Sequence, residues 1–335
     1  MTKRFIGCFI GAVAVLLAGC QQYSNTPVQT TVPRSTQSVP TSTSIPSQTA
    51  LPTVTLTSEP TLDTELIISV TAIKDRPNEF PERETRDDGF TEADPWEIAP
   101  AFSPADGMRF IAIEVVALNL SRTTWQLLGS KLVLNDSTGR GYPAQLGRAF
   151  HGILPFELRY GQKSQGWVVF EIPEDAVARD IRYPVDERHW IVSSLDDPTP
   201  LPDMTPQLVT SNNASASNLT LSLLAIKDPG TPFSIFTYTY IFGYRPVNIM
   251  VEISNLSAEE VAFRPFQYVL MDENGVLHFN EPGGASDEID GNDLQPGETR
   301  KGEISFDLPE GVKPSQLFYI VMPYTDEYLQ ISVRQ

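Results

Sequence analysis

Short runs of alternating apolar and polar residues recur along this chain, and none keeps a helical period for three turns. Leu66, Ile68 and Val70 stand at every second position, and β-branched residues crowd 110–116 and 249–253. A period of two predicts half-buried β-strands. Asp-x-x-Gly sequences at 136–139 and 272–275, and prolines elsewhere, interrupt the runs. Many short strands with turn signals between them predict an all-β sandwich or barrel.

The same pattern occurs twice in the last 215 residues. Residues 160–174 are YGQKSQGWVVFEIPE and residues 296–310 are PGETRKGEISFDLPE, at an offset of 136. The opening strands, LIISVTAIKD at 66–75 and LTLSLLAIKD at 219–228, match at an offset of 153. The change in offset predicts that the two halves differ in length at one place, the loop after the first strand. Self-similarity over this length predicts a duplicated domain.

The first twenty residues have the pattern of an export signal. Lys3 and Arg4 precede an apolar run from Phe5 to Leu17, which is short for a membrane span. The run ends in Leu-Ala-Gly-Cys, which resembles the bacterial lipobox, so Cys20 is predicted to be the lipidated N-terminus. An uncleaved membrane anchor is the alternative. Either way the chain is expected to be extracytoplasmic and membrane-anchored.

The following segment is predicted to be a disordered tether. Residues 21–63 contain 11 Thr, 7 Ser and 6 Pro. Such a composition buries too little apolar surface to offset the loss of chain entropy. The predicted organisation is therefore a signal peptide, the lipidated Cys20 with its tether, a first domain, a linker and a second domain, at 1–19, 20–63, 64–192, 193–217 and 218–335.

Charge and cysteine content exclude several classes of function. The exported chain would have 22 basic and 42 acidic residues, a net charge of −20, which argues against nucleic acid as a partner. Once Cys8 leaves with the signal peptide and Cys20 carries lipid, no thiol remains for a disulfide or a Cys nucleophile.

The sequence contains no recognisable catalytic or metal-binding motif. The three histidines, at 151, 189 and 278, lie far apart and are interpreted as surface or half-buried residues. No cofactor is predicted. The nearest alternative is calcium in an acidic, Gly-rich loop, at Asp287, Asp290 and Asp293.

An aromatic segment is the candidate binding site. The two halves differ most after the first strand, where the second half contains FSIFTYTYIFGY at 233–244. With a period of two, one face would carry Phe236 and the four candidate contact residues Tyr238, Tyr240, Phe242 and Tyr244. An exposed stripe of this kind suits a protein or glycan partner, whereas a hairpin buried on both faces is the alternative.

The motif residues resemble a bacterial lipoprotein family with telokin-like, immunoglobulin-like domains of unknown function. The second half carries its pattern of Asn255, an L-x-D-x-x-G turn at 270–275, L-x-P-G-E at 294–298 and G-x-x-x-F-x-x-P at 302–309. The first half departs at Tyr160 and Gln162. The resemblance implies two tandem immunoglobulin-like β-sandwiches and says little about activity.

The sequence therefore favours a surface-anchored, non-catalytic binding or scaffold lipoprotein. The alternatives are a cell-envelope enzyme or enzyme accessory, and an inhibitor of a secreted enzyme. A polar cleft with clustered titratable groups would favour an enzyme.

Overall fold

The computed structural model describes residues 66–76, 92–97, 103–145, 149, 151–153, 156–204, 207–232, 239–282, 284–321 and 327–334. The predicted signal peptide, Cys20 and the tether lie outside these ranges. Residues 60–335 form one compact unit. Strands are the main regular elements of the described residues, and the helical elements among them are two single-turn 3-10 helices at Gly129–Lys131 and Pro265–Gln267. The predicted all-β, immunoglobulin-like sandwich fold is confirmed.

The described part of the first half contains ten strands, which build a sandwich. They are β1 Leu66–Asp75, β2 Glu92–Ala93, β3 Met108–Asn119, β4 Trp125–Leu127, β5 Val133–Asp136, β6 Gly141–Gln145, β7 Phe156–Leu158, β8 Lys163–Pro173, β9 Ala178–Pro184 and β10 Trp190–Ser194. One layer has the order β1-β3-β8, and the other has the order β10-β9-β5-β6. Strand β6 also pairs with β8, which joins the two layers.

The second half repeats this arrangement. Its strands are β11 Asn213–Ala216, β12 Leu219–Lys227, β13 Tyr240–Ile241, β14 Tyr244–Asn255, β15 Tyr268–Asp272, β16 Val276–Phe279, β17 Thr299–Pro309, β18 Pro314–Ile320 and β19 Tyr328–Ser332. The layers are β11-β12-β14-β17 and β16-β15-β18-β19. The range 193–217, predicted as a linker, contains the end of β10 and all of β11. Strand β11 is Asn-Ala-Ser-Ala, so its inward positions, Ala214 and Ala216, are small and give only a weak apolar alternation.

Strand registers correspond between the halves residue by residue. Leu66 pairs with Asn119, and Leu219 pairs with Asn255. A bulge interrupts β1 between Val70 and Ala72, and the equivalent bulge interrupts β12. The Asp-x-x-Gly turns join β5 to β6 and β15 to β16, and their glycines have φ of +87° and +82°. Glycine adopts this left-handed conformation without the steric cost that a Cβ would add.

The two sandwiches share apolar surface. Alternate residues of β15 and β18 point in opposite directions. Leu270 and Leu317 pack in the core of the second half, whereas Val269, Met271 and Phe318 pack with the core of the first. Strand β16 pairs in parallel with the start of β8, and β13 pairs in parallel with β2. Packing and strand pairing therefore join the halves.

Candidate functional site

A cavity of about 330 Å³ lies where the two sandwiches meet. Both halves contribute polar and aromatic side chains to its wall, and Leu201 of the connecting segment also lines it. Its polar and aromatic wall residues are Thr71, His151, Lys163 and Gln165 from the first half and Tyr244, Asp272, Asn274 and His278 from the second. Ligand sites occur preferentially at such domain junctions.

A buried imidazole and a carboxylate form one side of the cavity. The Asp272 carboxylate accepts hydrogen bonds from the backbone N–H groups of Asn274 and Val276, at 2.8 and 3.0 Å. Its other oxygen lies 3.1 Å from Nε2 of His278, which is only 4% exposed. The turn between β15 and β16 therefore holds the carboxylate, and the carboxylate orients the imidazole.

The equivalent turn of the first half has a different partner. Asp136 accepts hydrogen bonds from the Thr138 and Arg140 backbone and from the Tyr142 hydroxyl, the last at 2.8 Å. Hydrogen bonds, the largest from the Thr138 side chain, lower the pKa of Asp136 to about 2. Tyr142 and His278 occupy equivalent positions, each one strand away from its aspartate. The second half thus has the His278 imidazole, which faces the junction, where the first half has the Tyr142 phenol.

A second histidine reaches the cavity from the first half. The backbone of His151 is held by hydrogen bonds from its N–H to the Pro95 carbonyl and from the Trp167 N–H to its carbonyl, at 3.1 and 2.8 Å. Its ring centroid lies 4.6 Å from that of Tyr244. Burial, and secondly the nearby His278, lower the pKa of His151 to about 4. Burial and then Glu114 raise the pKa of Tyr244.

The charged groups around the cavity have partners. Glu114 accepts hydrogen bonds from the Thr71 hydroxyl at 2.6 Å and from the Gln165 amide at 2.8 Å. The Lys163 ammonium group donates to the Asn274 carbonyl across the junction, at 3.1 Å. The cavity therefore offers two imidazoles and fixed polar groups to a small polar ligand. Within the described ranges, no three His, Cys, Asp or Glu residues are grouped to hold a metal ion.

The predicted aromatic residues do not form one stripe. Tyr240 is half-buried in β13, Phe242 is 63% exposed, and Tyr244 lines the cavity. A turn at Phe242 and Gly243, where φ is +79°, ends the period of two before β14 begins. Tyr238 lies outside the described residues. A binding role for these four residues stays a prediction.

The alternative calcium site is not assembled. Asp293 pairs with the Arg264 guanidinium, which lowers the pKa of that carboxyl. Asp290 accepts hydrogen bonds from the side chain of Asn292, at 2.7 and 2.8 Å. In the part of the chain that the structure describes, Asp287, Asp290 and Asp293 do not form a group of three that could hold a metal ion.

The outer faces of the equivalent layers differ in chemistry. In the first half Trp167 packs against Trp96, with ring centroids 5.4 Å apart. In the second half the equivalent of Trp167 is Glu303, which is 1% exposed, pairs with Lys227 and accepts a 3.4 Å hydrogen bond from Asn248. Nearby, burial and then Asp307 raise the pKa of Glu281 to about 8.

The sequence interpretation of the histidines needs correction. His278 is buried, and His151 and His278 line the same cavity although they lie far apart in the chain. Spacing rules detect ligands on one element, so they miss residues that tertiary packing brings together. One signal was present in the sequence: at an offset of 136, His278 replaces Tyr142 beside an otherwise similar turn.

Comparisons with known proteins give a family match for the second half alone. Residues 243–329 match the family described as "Domain of unknown function (DUF4352)". No curated protein sequence matches the chain. No helix in the described ranges is both long and apolar enough to cross a membrane.

Several solved structures resemble part of the chain. The ycdA protein of Bacillus subtilis, described as a candidate lipoprotein, has 12% identity and a TM-score of 0.32, over 37% of this chain and 39% of that protein. The secreted protein MPT63 of Mycobacterium tuberculosis has 15% identity and a TM-score of 0.29, over 38% of this chain and 97% of that protein. The yjhA protein of Bacillus subtilis has 12% identity and a TM-score of 0.30, over 38% and 99%.

Proposed function

We propose that this chain is a surface-anchored, non-catalytic binding or scaffold lipoprotein that binds its partner at the junction of the two sandwiches. One observation carries the proposal. The segments in which the halves differ most, after β1 and after β12, meet in the parallel pair β2·β13. Residues shared by duplicated halves serve mainly the fold, whereas loops on a rigid scaffold supply specificity.

The surface at this junction combines an exposed aromatic side chain with a cavity beneath it. Phe242 is 63% exposed, and its backbone N–H donates to the Ala93 carbonyl at 2.9 Å. The half-buried Tyr240 precedes it, and Tyr244 forms part of the cavity wall. Aromatic groups held by backbone pairing contribute contact area at a small cost in side-chain entropy. The expected partner is a protein or glycan of the cell envelope.

A capture experiment tests the binding site. Residues 60–335 are immobilised and exposed to envelope extract, and the captured species is then titrated against variants. Tyr240→Ala combined with Phe242→Ala should weaken capture at least tenfold while changing the melting temperature little. The matched control is Phe266→Ala, since Phe266 is 67% exposed but lies outside the junction. Equal capture by the double variant and the control would contradict the proposed site.

The anchor is tested separately. Cys20→Ser should release the chain from the membrane fraction, because lipid at Cys20 is the proposed attachment. Retention of the variant in the membrane fraction would instead support an uncleaved hydrophobic helix.

One feature favours the alternative of an envelope enzyme. The His278–Asp272 pair in a junction cavity is an arrangement suited to general acid–base chemistry. The binding proposal expects no turnover of purified cell-wall polymer by residues 60–335. Turnover that His278→Gln abolishes would establish the enzyme instead.

A further inference from the structure

The contact between the two sandwiches joins two different surfaces. From the second half it uses the outer face of the β15, β16, β18 and β19 layer, with Val269 and Phe318 packed on the first core. From the first half it uses the region at the start of β8, where Lys163 pairs with Val276. Arg159 places its guanidinium 3.7 Å from the Tyr328 ring centroid. Because each side uses a different surface, the contact is heterologous.

The first half presents the corresponding outer face to solvent. We call the outer face of β5, β6, β9 and β10, together with Arg140 at the turn, the front face. By strand register, Val133 corresponds to Val269, Arg182 to Phe318 and Trp190 to Tyr328. Trp190 is 46% exposed, and Val192 on the same side of β10 is 48% exposed. The face that is covered in the second half is therefore exposed along β10 in the first, whereas Val133 and Arg182 are half-buried.

The second half likewise leaves open the surface that the first half uses in this contact. We call the start of β17, together with Leu224, Glu260 and Gln295, the rear surface. By the two offsets, Thr299 corresponds to Lys163, Gln295 to Arg159 and Leu224 to Thr71 of the cavity wall. Thr299 and Gln295 are exposed, and Leu224 is 43% exposed. The molecule thus carries equivalents of both sides of its own internal junction outside that junction.

The charges of these two surfaces are complementary. The front face carries Arg182 and is bordered by Arg140 and Arg179. Arg179 and Arg182 both pair with Asp180. On the rear surface the Gln295 amide donates to the carboxylate of Glu260 at 2.7 Å. Because Gln295 is the equivalent of Arg159, the Glu260 carboxylate on the rear surface lies close to the place that the Arg159 guanidinium occupies in the internal junction. Opposite charges favour this pairing over front-to-front contact, which would bring arginines together.

We propose that the molecule associates head to tail with further copies of itself, with the front face of one chain against the rear surface of the next. The front face is more polar than its counterpart, because Arg182 replaces Phe318. The contact is therefore weaker than the internal junction and forms at high local concentration. A heterologous contact that does not close produces open chains of variable length.

Sedimentation velocity over a concentration series tests the proposal with residues 60–335, which form a compact unit. The average mass of the wild type should rise steadily with concentration and not stop at a dimer. The front variant, Trp190→Glu, should abolish association by placing a carboxylate opposite Glu260. The rear variant, Leu224→Arg with Glu260→Arg, should abolish association by placing cations opposite the arginines of the front face. Val192→Asp provides a second front-face variant, and all variants are checked by thermal melting.

Mixing the two kinds of variant gives the decisive result. The front variant retains its rear surface and the rear variant retains its front face, so an equimolar mixture should form a one-to-one dimer and nothing larger. Phe266→Glu, an equally drastic change at an exposed residue that belongs to neither face, should leave the wild-type association unchanged. A wild type that stays monomeric, or variants that remain monomeric when mixed, would overturn the proposal.

Discussion

The same aspartate turn meets two different side chains in one molecule. In the first half a tyrosine hydroxyl donates to Asp136, and in the second His278 lies beside Asp272. The common scaffold thus places a phenol and an imidazole at equivalent positions, and the imidazole lines the junction cavity together with His151.

The stability of residues 60–335 should depend on His151 in mildly acidic solution. Its pKa in the folded chain is about 4, below the ordinary value of 6.5, so the unfolded chain binds the proton first as pH falls. The contribution of neutral His151 to the free energy of unfolding is complete above about pH 6.5. It is lost towards pH 4, at no more than about 1.4 kcal/mol per pH unit. His151→Gln should lose this dependence, as measured by urea unfolding at several pH values.

The pH dependence of each variant's stability must be compared with that of the wild type, because the ionisation of Glu281 changes stability in the opposite direction. Its pKa is raised to about 8, so its contribution is lost as pH rises from about 4.5 towards 8. His189→Gln is the control, since His189 lies on the surface beside Asp186. If His151→Gln and His189→Gln showed the same dependence on pH, the burial of His151 would not be its cause.

At the scale of elements, both halves use a glycine to let a second chain segment cross the long strand. A methyl group on Gly166 would lie 2.5 Å from the Ile153 nitrogen, and one on Gly302 would lie 2.5 Å from Ile289 Cα. Parallel bridges join Gly152 to Trp167 and Glu288 to Glu303 at these crossings. The close approach of the crossing segment therefore explains why the G-x-x-x-F-x-x-P motif begins with glycine.

Gly302→Ala should destabilise the chain by about 1–3 kcal/mol, because the added methyl group forces two backbone segments apart. Gly152→Ala is the matched control, since its added methyl group would meet neighbours at ordinary distances of 3.6 and 3.7 Å. Urea unfolding measures both variants. Similar losses for the two would show that glycine flexibility, and not the crossing, matters.

Local signals predicted most of the strands and both aspartate turns, because alternation and turn residues act over a few positions. They did not predict the junction. Strand β15 has Leu270 facing one core and Met271 facing the other, so its continuous apolar run does not reveal the second contact. The aromatic alternation at 236–244 was extended too far, because Gly243 ends it with a turn.

At the scale of the whole molecule, the two sandwiches should unfold together. Phe318 belongs to the second half, is 2% exposed and packs in the core of the first. Phe318→Ala should therefore cost about 3–5 kcal/mol and speed hydrogen exchange in the strands of both halves. Phe242→Ala should change stability by less than about 0.5 kcal/mol. Two separate melting transitions in the wild type would contradict a shared core.

The ladder between β2 and β13 has an evolutionary consequence. Glu92 and Ala93 pair with Tyr240 and Ile241, and β2 and β13 have no other partner strand among the described ones. A length change in one segment therefore shifts the pairing of the other. The two halves share one arrangement of strands, but this ladder makes the segment after β1 and the segment after β12 depend on each other. In descendants of this chain, substitutions at positions 93 and 241 should accordingly occur in compensating pairs.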